Sequence, residues 1–159
     1  MVQIPHASLQ AGDPAPAFTL PDQNGMPVHF ADFIGKTDVV LYFYPKDNSA
    51  GCTAEACAFR DSYEAFKEAG ATVIGVSTDS TESHEGFARR NRLPFILLSD
   101  PDQTVHRLYT IPKMLGLFNA RETFVIDRQG IIRHRFSSQI DMKKHVTEAL
   151  AVLQAMPTR

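Results

Sequence analysis

Cysteine is scarce in this chain: Cys52 and Cys57 are the only two among 159 residues. Two thiols cannot make a disulfide framework for a domain of this size. In a reducing compartment, a cysteine pair that does close a disulfide is more often catalytic or redox-sensing than structural. Net charge is also small, at −2, which removes the electrostatic case for a nucleic-acid partner or an anionic membrane surface. No apolar run approaches membrane-spanning length, and the first residues lack a charged segment followed by an apolar core. A cytoplasmic protein is therefore expected. Heptads, internal repeats and basic tracts are missing too. The six histidines, at 6, 29, 84, 106, 134 and 145, show no ligand spacing with the cysteines, so neither a zinc site nor any other cofactor is expected. What is present, 43% hydrophobic and 21% charged residues, is the composition of a folded globular chain, and 159 residues suit one domain spanning 1–159.

Both cysteines fall in one stretch, Tyr42-Phe-Tyr-Pro-Lys-Asp-Asn-Ser-Ala-Gly-Cys-Thr-Ala-Glu-Ala-Cys-Ala-Phe-Arg-Asp61. The apolar run Val39 to Tyr44 reads as a buried strand that Pro45 ends. A helix pattern begins at about Cys52, with Ala56, Phe59, Tyr63 and Phe66 recurring at three- and four-residue spacing. Cys52 shares that inward face, whereas Cys57 falls with Asp61, Glu64 and Glu68 on the polar face. The first turn of a helix offers free backbone N–H groups and the positive end of its dipole, which favour a thiolate. A free cysteine titrates at about 8.5, and such sites bring it lower. Gly51 lets the backbone approach a ligand closely. Cys52 thus reads as a reactive thiol, although a small buried hydrophobe is the commoner role of a single cysteine.

The segment from Tyr44 to Asp61 resembles the active-site stretch of the peroxiredoxins, and within them the bacterioferritin comigratory protein or peroxiredoxin Q branch. The family's pattern of Pro, three residues, Thr or Ser, two residues and Cys falls on Pro45, Ser49 and Cys52. The likeness continues through Gly12-Asp-Pro-Ala-Pro-Ala-Phe18 and Arg121-Glu-Thr-Phe-Val-Ile-Asp127. It implies a thiol-dependent peroxidase with Cys52 as the peroxidatic cysteine. By the same resemblance, the Cys52 and Gly51 amides, the Ser49 hydroxyl and Arg121 hold the peroxide, and Pro45 shields the sulfur. Glu55 orients an arginine, or is an ordinary helix-capping acid. The resemblance further implies hydrogen peroxide or an organic hydroperoxide as substrate, a thioredoxin- or glutaredoxin-type reductant as partner, and a monomer. Two residues depart from the branch's Asp-x-Thr-Pro-Gly-Cys: Ser49 stands for threonine and Ala50 for proline. Each gives the loop more freedom.

Along the rest of the chain, residues 1 to 16 read as an irregular leader. Phe18 to Leu20 and Met26 to Phe30 flank Asn24-Gly25 as a hairpin, and Ala31 to Gly35 form a short turn of helix. Beyond the strand at 39–44 the expected order is helix 52–69, strand 72–77, helix 82–91, strand 95–98 and a short helix within 102–109. An irregular 111–120 follows, whose apolar residues either cover a pocket or plug core. Arg121 then opens a strand to Ile126, Asp127 to Gly130 turn the chain, and Ile131 to Phe136 return antiparallel. Val146, Ala149, Leu150 and Leu153 stripe a last helix. This is the order of an α/β, thioredoxin-like fold: a central mixed β-sheet flanked by helices, with an N-terminal β-hairpin extension.

Peroxide attack would leave Cys52 as a sulfenic acid, and Cys57 is the resolving candidate within the chain. Five helical residues give about 7.5 Å of rise and about 140° of rotation, placing the two Cα atoms roughly 8 to 9 Å apart. A disulfide does not span that distance without backbone movement. The first turns of the helix are therefore expected to unwind in each cycle. The alternative is resolution by an external thiol. A thioredoxin-type oxidoreductase normally places two residues between its cysteines, not four. A non-catalytic binding module would not require Ser49, Cys52 and Arg121 together.

Overall fold

The computed structural model describes residues 8–156. Its centre is the strand β3 (Asp38–Phe43), every residue of which is buried. Alternate side chains leave opposite faces of a strand. Val40 and Tyr42, with Tyr44 just beyond the strand, enter one core cluster, whereas Val39, Leu41 and Phe43 enter another. Burial on both faces is why Val39 to Tyr44 read as an unbroken apolar run rather than an alternating one. Around it lie β4 (Ala71–Ser77) and β5 (Ile96–Ser99) on one side, and β8 (Glu122–Ile126) and β9 (Ile132–Ser137) on the other. The order is β5-β4-β3-β8-β9, with β3, β4 and β5 parallel and the β3–β8 and β8–β9 pairs antiparallel. The sheet is thus mixed.

Four helices cover the Tyr42 face: α1 (Ala50–Asp61), α2 (Tyr63–Glu68), α3 (Thr81–Asn91) and α5 (Met142–Ala155). Ala56 and Phe59 of α1, Phe66 of α2, Phe87 of α3 and Val146, Ala149 and Leu153 of α5 meet there. The opposite face is covered by α4 (Thr104–Leu108) and by the hairpin of β1 (Thr19–Pro21) and β2 (Pro27–His29). Asp22 shapes that hairpin turn, its Oδ1 accepting from the Asn24 and Met26 amides, and Gly25 takes φ +79. Phe30–Phe33 form the short 3-10 turn after it.

The structure departs from the sequence reading at two places. The helix expected over 52–69 starts two residues earlier, because the Ser49 hydroxyl accepts from the Cys52 amide and caps the helix at Ala50. It is also two helices, interrupted at Ser62 with φ −102 and ψ 10, where a serine tolerates a break. The segment 111–120 is not irregular: β6 (Lys113–Met114) and β7 (Phe118–Asn119) pair as a small antiparallel ladder. Its ends plug core, with Ile111 packed against the second cluster and Ala120 buried, whereas Leu115 and Leu117 at the tip are 86% and 79% exposed. Residues 8–16 of the leader form no helix or strand, as expected, and dock on the β8–β9 turn, with Gly12 and Ala15 amides donating to Ile132 and Gly130 carbonyls. Residues 1–7 of that leader, with His6, lie outside the described residues. Among the described residues no helix is long and apolar enough to cross a membrane.

Candidate active site

The chain leaves β3 through Tyr44 and half-buried Pro45, makes the loop Lys46–Ser49, and enters α1. A buried network fixes this loop. The Asp47 carboxylate accepts from Tyr44 Oη at 2.6 Å and Ser83 Oγ at 2.8 Å, lies 2.6 Å from His84 Nδ1, and the Asp47 amide donates to Asp79 at 2.8 Å. Asp47, Asp79 and His84 have ligand-type atoms within 4.8 Å of one another. Their hydrogen bonds account for that cluster as a clamp on the loop. Asn48 sits at φ +66, a conformation asparagine tolerates, and Arg90 Nη2 donates to its side-chain oxygen. Ser49 Oγ donates to the Lys46 carbonyl while accepting from the Cys52 amide. In this conformation the serine hydroxyl and the Cys52 N–H are thus partners of each other.

Cys52 is buried in the first turn of α1. Arg121, one residue before β8, brings its guanidinium to it from the antiparallel neighbour of β3: Nη1 donates to Cys52 Sγ at 3.2 Å and to Glu55 Oε1 at 2.8 Å. One turn of helix separates Cys52 from Glu55, so both present to the same nitrogen. Glu55 is wholly buried, with Oε1 2.8 Å from Arg121 Nη1. Gly51 has its role here too. A Cβ on it would stand 3.1 Å from Arg121 Nη2 and 3.0 Å from Met142 Cε, so the room that glycine leaves is taken by the guanidinium.

The electrostatics follow from burial. Desolvation pushes Glu55 up to about 7, against the pull of Arg121. Burial draws Arg121 down, but Glu55 and Cys52 more than offset it, and its net shift is upward. Tyr42, stacked on Phe59 with ring centroids 4.4 Å apart, is held well above its ordinary value by burial and then by Glu55 and Cys52.

Cys57 occupies the same helix, and both thiols are free. Its expected place on the polar face needs correction: the side chain is half-buried against α3, with Sγ 3.7 Å from Asn91 Oδ1. Arg60 Nη1 bonds the Asn91 carbonyl from the same side. The sequence reading missed His145. It is fully buried on α5, 3.6 Å from Glu55 Oε2. The signal available was its position one residue before Val146, at the edge of the apolar stripe of the last helix.

Residues 11–135 match the AhpC/TSA family. A chloroplastic peroxiredoxin Q of Sedum lineare is 47% identical over 151 residues, which are 94% of this chain and 81% of that protein. The chloroplastic peroxiredoxin Q of Arabidopsis thaliana is 47% identical over 150 residues, 94% of this chain and 69% of that one. Among solved structures, the peroxidoxin BcpB of Mycobacterium tuberculosis superposes with a TM-score of 0.88 at 37% identity, covering 94% of this chain and 99% of its own. Peroxiredoxin Q of Xanthomonas campestris does so at 0.80 and 31%, over 87% and 90%.

Proposed function

The chain belongs to the AhpC/TSA family as a thioredoxin-like peroxiredoxin, and from that premise we propose how its own residues carry the reaction. It is a thiol-dependent peroxidase that takes a peroxide substrate and a thioredoxin-type reductant. Cys52 is the nucleophile. Its thiolate attacks one peroxide oxygen, the O–O bond breaks, and the sulfur becomes a sulfenic acid while the departing oxygen takes a proton to leave as water or an alcohol. Arg121 directs its donors at the sulfur and at the oxygens as charge shifts between them. Ser49 and the first amides of α1, including Gly51, bind the substrate oxygen once the cap between Ser49 and Cys52 loosens. Pro45 screens the sulfur from solvent. Glu55 holds Arg121 in place.

Cys57 then attacks the sulfenic sulfur, forming the S–S bond and releasing water, and a dithiol of thioredoxin or glutaredoxin type restores both thiols. Both cysteines lie within α1, so this step requires the helix to open. The observation that carries the assignment is the buried Cys52 sulfur 3.2 Å from Arg121 Nη1. A second reading, resolution by an external thiol, draws support from Cys57 facing Asn91. We further propose that 1–159 is one domain and that it acts as a monomer without a nucleic-acid or membrane partner. A reducing compartment fits two free thiols. The cytoplasm is the compartment read from this sequence, whereas the plant relatives are named as chloroplastic. The test of the assignment is hydrogen peroxide consumption with a thioredoxin system: Cys52→Ser abolishes it, and residual turnover near the wild-type rate would refute Cys52 as the nucleophile.

A further inference from the structure

Glu55 Oε2 is buried and, among the described residues, has no hydrogen-bond partner. An unpartnered buried acceptor is costly and rare. The polar atom facing it is His145 Nδ1, at 3.6 Å, on a ring that is itself fully buried. The tautomer of that ring follows from its other contacts. His145 Nε2 lies 2.8 Å from the Ser138 carbonyl oxygen, which only accepts, so Nε2 carries the proton. In the neutral ring Nδ1 is then a lone pair, which accepts from the Thr123 hydroxyl at 2.7 Å. An ionised Glu55 would thus aim a bare oxygen at a bare nitrogen. One proton on Oε2 removes the repulsion, because a neutral carboxyl group no longer sets a negative charge against the Nδ1 lone pair.

We propose that His145 is a positioning residue of the peroxidase site: through Glu55 Oε2 it sets the charge of the carboxyl group that shares Arg121 Nη1 with the Cys52 sulfur. The proton rests on Glu55 and no covalent bond changes. When Glu55 is neutral, Oε1 still accepts from Arg121, but the guanidinium charge is directed at Cys52. When Glu55 is ionised, that charge is divided between carboxylate and sulfur. Burial moves both partners the same way in this respect, raising Glu55 and lowering His145, so the proton sits on the carboxyl group. The other charged or titratable groups around the pair are Arg121 and Glu122 at β8, Tyr42 on β3, Cys52 on α1 and Asp141 at the α5 N-cap. Arg121 opposes a charge on His145, while Glu122 and Asp141 favour one. None of them bonds Oε2.

The inference rests on Cys52 and Arg121 as the reacting pair, and the experiment separates the two. The rate constant for Cys52 oxidation by hydrogen peroxide is measured in single turnover across neutral pH in wild type, His145→Gln, Glu55→Gln and the double variant. Wild type shows a fall in rate with an inflection near 7. Glu55→Gln loses that inflection. His145→Gln moves it down by at least about one pH unit, a tenfold change in the equilibrium, and has no further effect once Glu55 is Gln. A His145→Gln profile that differs from wild type only by a uniform factor would overturn the proposal, as would additive effects in the double variant. Should His145→Gln fail to fold, carbon NMR of the Glu55 carboxyl group and nitrogen NMR of His145 decide the matter in Cys52→Ser protein. Glu55 titrating near 7 opposite a neutral Nε2–H ring supports the proposal; Glu55 titrating in the ordinary carboxylate range, or an Nδ1–H ring, refutes it. Those spectra do not depend on peroxide chemistry. Peroxide consumption that survives Cys52→Ser would instead sink the underlying assignment.

Discussion

Gly51 and Arg121 show how much of this site depends on single atoms. The guanidinium lies where a Cβ at Gly51 would be, and its Nη1 divides between a sulfur and a carboxylate. A lysine at 121 keeps the charge but offers one ammonium in place of a planar fork, so it cannot hold both acceptors in fixed directions. Arg121→Lys is therefore expected to slow peroxide reduction about 100-fold, comparable to losing one preorganised donor to a developing charge, with a smaller effect on folding than Arg121→Met. Single-turnover rates and thermal unfolding measure the two separately; a wild-type rate in Arg121→Lys would show that charge alone suffices. Ser49, Cys52 and Arg121 were legible as motif residues. Glu55 was ambiguous and His145 unread, because a contact between α1, β8 and α5 leaves no local pattern in any of the three segments.

At the scale of the element, α1 is a helix with a built-in fault. Glu55 lies between the two cysteines and is buried at a cost that opening the helix relieves. Its value in the closed helix is about 7 and its ordinary value is 4.5. Below 4.5 it is protonated in both states and imposes no charge penalty. As pH rises from 4.5 to 7 the opened helix ionises first, so the closed helix, which binds the extra proton, loses stability; above 7 the loss is complete. That interval corresponds to about 3 kcal/mol in favour of opening. Hydrogen exchange of the Cys52–Cys57 amides, corrected for intrinsic rates, should show protection falling through this window, and Glu55→Gln should remove the pH dependence. Protection that rises with pH would contradict the sign. The helix start was misplaced by two residues in the sequence reading because apolar spacing marks the buried face, whereas the Ser49 cap marks the end.

For the whole molecule, the order of strands and helices was readable because β3 is apolar from Val39 onward and its neighbours carry turn residues at their ends. Asp127 illustrates the second point: its Oδ1 accepts from the Gln129 and Ile131 amides and Gly130 takes φ +81, so the turn is written in adjacent residues. The β6–β7 ladder was not readable, since two-residue strands have no period to detect. The fold sets Cys52 and Cys57 on one helix, their side chains turned toward Arg121 and Asn91 respectively. The central claim, that a single chain closes these two sulfurs by opening that helix, is tested most directly by the intact mass of reduced protein after one equivalent of hydrogen peroxide, with thiol counting, peptide mapping and size measurement. The account predicts a monomer lighter by two hydrogens, with both thiols gone and a Cys52–Cys57 link. A monomer heavier by one or more oxygens on Cys52 with Cys57 still free would contradict it and make the resolving thiol external.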